Sequence, residues 1–115
     1  MTDLPNELIP DSAVEAALRF LAESSLIGES KFNVVKAENL RKATWAKCFT
    51  NSDKKTVAER EADAECHPEY EAACSHEAKA IREHEEVKAK TLWATTITNL
   101  WQTVEANNRA AVRVR

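Results

Sequence analysis

Five residues in one short stretch carry the chemistry of a metal site: Cys66, His67, Cys74, His76 and His84. Thiolate sulfur and imidazole nitrogen are the donors that zinc prefers. Their spacing argues against a site. Structural zinc sites pair their ligands two to four residues apart on a tight knuckle, whereas Cys66 and Cys74 are separated by Pro68 and two turns of a predicted helix. A di-iron bundle needs Glu three residues ahead of an inward-facing His; Ala64, Ala73 and Ile81 stand three residues ahead of His67, His76 and His84. The sequence therefore predicts no metal, and no motif points to a cofactor.

Enzyme templates fail in the same way. A single Gly excludes the dinucleotide fingerprint and the P-loop. No G-x-S-x-G or H-E-x-x-H occurs, and no carboxylate pair stands out. No catalytic residue is assigned, and the expectation is a non-enzymatic protein. Glu77 and His84 lie seven residues apart on one helical line, which predicts a polar pair between them.

Basic residues interleaved with aromatics form the remaining constellation. Lys31, Lys36, Arg41, Lys42, Lys47, Lys54 and Lys55 surround Trp45, and Arg41 and Trp45 are i,i+4 neighbours. Phosphates attract Lys and Arg, and unstacked bases attract aromatic faces. Nucleic acid is thus the alternative partner. Acidic neighbouring segments and a pI of about 5.6 oppose it. So does the placement of Phe32 and Phe49 on a predicted core line, with Trp45 at the core's edge.

Charge is segregated along the chain. Residues 1–30 carry one Arg against six acids, residues 31–60 eight cations against three acids, residues 61–90 four against nine, and residues 91–115 three against one. A chain folded back on itself sets the basic segment beside the acidic one. Cysteines odd in number without C-x-x-C spacing, and a first stretch lacking a basic and apolar leader, predict a reduced cytoplasmic protein. No apolar run is long enough to span a membrane.

The element that positions these groups is the stretch from Pro68 to Asn108, free of Gly and of internal Pro. Pro68 suits a first helical position, Glu69 and Glu71 complement the helix dipole, and Arg109, Arg113 and Arg115 complement its other end. A seven-residue grid gives one line of Ala73, Ala80, Val87, Ala94 and Trp101 and a companion line of Tyr70, Glu77, His84, Thr91 and Thr98. Small residues admit a close neighbour and polar ones fix register. Beyond Thr91 the face broadens to Trp93, Ile97, Leu100, Trp101 and Val104, which predicts most of the burial there.

Upstream, residues 1–10 read as a tail that docks through Leu4, Leu8 and Ile9. Asp11 or Ser12 caps a helix, with Glu15 completing a capping box. Val14, Ala17, Leu18 and Leu21 form its buried stripe. The grid continues through Ser25, Gly28, Phe32, Val35, Asn39, Ala46 and Phe49, with a break or kink expected near Ser24–Gly28. Residues 50–55 form a turn. Thr56 and Glu59 make a second capping box for a short acidic helix to about Glu65, which ends because the residue before Pro68 is driven out of the α region.

The run Thr56–Ala62 (Thr-Val-Ala-Glu-Arg-Glu-Ala), followed by Pro68-Glu69-Tyr70 and a long helix ending near Trp101, resembles a group of small helical proteins of tailed bacteriophages. A first helix like Ala13–Glu23 also recurs in that group. Its members tend to be encoded near recombination and single-strand-annealing genes. The resemblance implies a host-cytoplasmic accessory role in phage DNA recombination or replication, or modulation of a host defence protein. It implies as partner a host or phage DNA-processing protein, and it supplies no catalytic residues.

The predicted fold is all-α: an elongated antiparallel helical hairpin or coiled-coil bundle, assembled as a homo-oligomer, with one helix of about 40 residues. Residues 11–109 form a single helical domain between the tail 1–10 and a basic tail 110–115. A purely structural oligomer is the remaining functional alternative.

Overall fold

The protein was analysed as a computed structural model, which describes residues 10–23 and 25–114. Four helices account for the described secondary structure: α1 Asp11–Ala22, α2 Ser25–Thr50, α3 Val57–Glu65 and α4 Pro68–Val114. No strand occurs among the described residues. The predicted tail contacts of Leu4, Leu8 and Ile9, and the side chains of Arg113 and Arg115, lie outside them.

α4 contains 47 residues and is therefore about 70 Å long. Pro68 opens it, with Glu69 and Glu71 in the first turn. It continues past Asn108 to Val114, so most of the predicted basic tail is helix. Two Asn residues cost a helix only a few tenths of a kcal/mol each, too little to end one that Ala106, Ala110 and Ala111 favour.

The start of α1 departs from expectation. Pro10 occupies the cap position and no side chain caps the helix, so the Ser12–Glu15 box does not form. Asp11 itself sits in the first turn, where its charge meets the dipole. The chain does break where expected, between Ala22 and Ser25. Gly28, by contrast, continues α2, and the space around its missing Cβ is open.

The Thr56 half of the second predicted capping box opens α3. Thr56 has extended backbone, and its Oγ1 accepts the Glu59 N–H at 3.2 Å. Thr56→Ala should cost about 1 kcal/mol in a denaturant titration. A loss under a few tenths would mean that the cap contributes nothing to the fold. The Cys66 N–H and the His67 N–H close the end of α3 on Ala62 and Ala64 carbonyls before Pro68 starts anew.

The chain clusters into two compact units. One comprises residues 28–86, and the other residues 1–27 with 87–115. In the first unit α2 and the early part of α4 run antiparallel: Ser30 bonds His84, Arg41 bonds Glu77 and Lys47 bonds Glu69. Rising numbers on one helix meet falling numbers on the other. In the second unit α1 buries Val14 and Ala17, and α4 buries Ala94 and Thr98. Leu18 of the predicted α1 stripe is exposed and Leu21 only half-buried.

The buried apolar residues among those described are six alanines with Val14 and Cys48, and no large side chain is fully buried. Close helix approach through Ala thus replaces a core of large residues.

Candidate functional site

The residues facing the seam in the 28–86 unit are Ser30, Val34, Ala37, Arg41, Thr44 and Cys48 on α2, opposite Tyr70, Ala73, Glu77, Ala80 and His84 on α4. On α4 these are the two predicted lines. On α2 they are not. At 3.6 residues per turn, Phe32, Val35, Asn39 and Ala46 lie about half a turn away from the buried line. Phe32 is 65% exposed and Val35 is also exposed. The facing α4 line buries Ala73 and Ala80 between Tyr70, Glu77 and His84, and small and polar residues take the inner line of α2.

Polar groups in this seam bond across it. Ser30 Oγ and His84 Nδ1 lie 2.7 Å apart, with the tautomer of the ring setting which one donates. The Arg41 Nε–H donates to Glu77 Oε2 at 2.9 Å. Both side chains are well covered, at 27% and 19% exposure. Glu77, followed by Tyr70, holds the Arg41 guanidinium pKa above its ordinary value. Glu77 and His84 therefore do not pair with each other as the sequence predicted. Each reaches α2, because the facing helix is nearer than two turns of its own.

Three of the eight cations in residues 31–60 are paired with carboxylates. Arg41 is paired with Glu77, Lys47 Nζ donates to Glu69 Oε2 at 3.2 Å, and Lys42 Nζ lies 3.0 Å from Glu38. A hydrogen bond from Lys42, and then its charge, lowers the Glu38 pKa. The carboxylate is thereby favoured when folded, and that small contribution is lost as pH falls through the lowered value. Lys31, Lys36, Lys54 and Lys55 are exposed. Trp45 is half-buried and stacks on Phe49, centroids 5.3 Å apart at 17°. With Arg41, Lys42 and Tyr70 it lines a shallow notch of about 260 Å³.

A second cleft, of about 310 Å³, sits beside it at the turn end of the seam. Lys47 and Cys48 of α2, Asn51, Ser52 and Asp53 of the turn, Asp63 of α3, His67 of the joint and Glu69 of α4 line it. Here Cys48, His67 and Glu69 each bring a donor atom within 4.8 Å of the other two. His67 Nδ1 also accepts the Glu69 N–H at 3.1 Å, capping α4. Proximity in sequence groups His67 with Cys66 and Cys74, although their spacing opposes a site; Cys66 is exposed, Cys74 half-buried, and all three cysteines are free. Cys48 escaped notice because it lies on another helix, with no short motif linking it to His67.

In the second unit, Val87, Thr91, Ile97, Trp101 and Val104 are half-buried, and Ala94 is buried. Trp93 and Leu100 lie outside the packed face, at 41% and 48% exposure. The predicted concentration of large buried residues there does not occur. Trp93, Ile97, Leu100, Trp101 and Val104 together span a wider arc than one neighbouring helix covers. Thr91 and Thr98 satisfy their hydroxyls by donating to the Val87 and Ala94 carbonyls, both at 2.8 Å. Lys90 Nζ sits 4.9 Å from the Phe20 ring centroid.

Comparison with protein-family models, with curated proteins and with solved structures finds no match to this chain. No helix among the described residues is long and apolar enough to cross a membrane.

Proposed function

We propose that this chain is a non-enzymatic accessory protein that acts by binding, and that its first partner is a second copy of itself. The observation that carries this reading is the inversion of α2. Its inner line is Ser30, Ala37 and Cys48, while Phe32 and Val35 stand on the solvent side at heptad spacing. An apolar pair spaced three apart, as within one heptad, is a unit with which helices pair, and its own chain leaves Phe32 and Val35 uncovered. Charge favours the same occupant. Residues 31–60 have five excess positive charges and residues 61–90 five excess negative ones, so an opposed copy sets unlike segments together.

The protein target beyond the oligomer is a host or phage DNA-processing protein, engaged by the acidic faces Glu61–Glu71 and Glu77–Glu86. The resemblance of Thr56–Ala62 and of the long helix after Pro68 supports that setting of recombination, replication or defence. The host cytoplasm is the compartment it implies.

Light scattering on the purified chain should give a mass at least twice 12.9 kDa. Phe32→Glu with Val35→Glu should return it to monomer with helicity unchanged. A monomer at all accessible concentrations would end the self-association reading. A second reading, nucleic-acid binding, rests on the notch of Arg41, Lys42, Trp45 and Tyr70. A mobility shift that weakens steeply with salt and is lost in Arg41→Ala/Lys42→Ala/Trp45→Ala would favour it instead.

A further inference from the structure

We propose that Cys48, His67 and Glu69 form a zinc site that clasps the turn end of the helical pair. Three observations meet there. The donor atoms lie within 4.8 Å of one another, close enough for small side-chain adjustments to reach bonds of about 2.0–2.3 Å to one ion. The set is one sulfur, one nitrogen and one oxygen, which suits a borderline-soft ion such as zinc and does not suit Mg²⁺ or Ca²⁺. The ligands come from separate elements: Cys48 near the end of α2, His67 in the α3–α4 joint and Glu69 in the first turn of α4. Asp63 lines the same cleft but stands outside this close group of donors, so water would complete the coordination.

The groups around the site define what binding changes. Cys48 ligates as thiolate, so binding releases its proton to solvent. His67 already uses Nδ1 to accept the Glu69 N–H. A neutral imidazole has one lone pair on nitrogen, so metal binding replaces that bond, either at Nδ1 itself or by shifting the ring proton. Glu69 gives one oxygen to Lys47; a carboxylate has lone pairs for both partners. Cys48 is buried, which keeps its sulfur from bulk solvent while its face toward the cleft stays open to an entering ion. Such a clasp restrains the joint at which the chain reverses, and it is independent of the oligomer proposed above.

Titration of the reduced, chelator-treated full chain with Co²⁺ tests the site. One equivalent should produce a near-ultraviolet thiolate-to-metal charge-transfer band, and zinc should displace it. The band should survive Cys66→Ser/Cys74→Ser and disappear in Cys48→Ser. Glu69→Gln, which also removes the exposed ion pair to Lys47, should weaken affinity roughly tenfold or more with helicity unchanged, since even outer-shell partners of metal ligands contribute 10–100-fold. Zinc should raise the Tm of the wild type, and chelator should reverse the rise. Absence of the band in the wild type overturns the proposal. So does a band that survives Cys48→Ser or that needs Cys66 or Cys74.

Discussion

Ala89→Pro should be the most damaging single change in the chain, at about 3 kcal/mol or more. Ala89 lies on the exposed side of α4, within Pro68–Val114. It makes no buried contact, so the whole effect comes from the backbone. Proline removes the N–H that bonds the carbonyl four residues back, and its ring collides with that carbonyl. The loss should lower Tm by roughly 10 °C or more for a chain of this size, with part of the helical circular dichroism gone before the melt. Ala111→Pro is the control. It lies three residues from the end of α4, where only a fraying turn follows, and should cost far less. Equal effects at the two positions would mean that α4 is not continuous through Ala89.

That helix was legible because each of its signals agrees. Pro68 fixes the start, Glu69 and Glu71 suit the dipole, and no Gly or Pro interrupts the run. The Ala73–Ala80 line and its Tyr70–Glu77–His84 companion were also readable, since a face of small and polar residues at heptad spacing has few uses other than close pairing. The inner face of α2 was not readable by the same rule. Two heptad lines compete there, and the one with Phe32 and Val35 is the more apolar. Which line turns inward depends on the volume that the partner leaves, and α4 offers Ala. Size therefore outweighs hydrophobicity at this seam, a fact that belongs to the pair of helices and to neither sequence segment alone. The cleft at Cys48, His67 and Glu69 was hidden for a related reason. Its ligands come together only once Lys47 meets Glu69 across the antiparallel pair.

The same volume constraint makes Ala80→Leu the second large prediction. Ser30 meets His84 and Arg41 meets Glu77, so the register between those two rungs brings Ala37 opposite Ala80. Both alanines are buried, at 1% and 6% exposure. Leu adds three carbons where two backbones approach closely, and overpacking of this kind costs about 1–3 kcal/mol. The strain should also loosen the polar rungs on either side, since Ser30–His84 and Arg41–Glu77 cannot keep their distances if the helices separate. Ala78→Leu, on the exposed face two residues away, should change stability by less than about 0.5 kcal/mol. A double-mutant cycle sharpens the result. If Ala37 faces Ala80, Ala37→Gly should relieve part of the Ala80→Leu penalty, with a coupling of at least about 0.5 kcal/mol. Strict additivity would place the two alanines apart and refute the register of the seam, even if each single change behaved as expected.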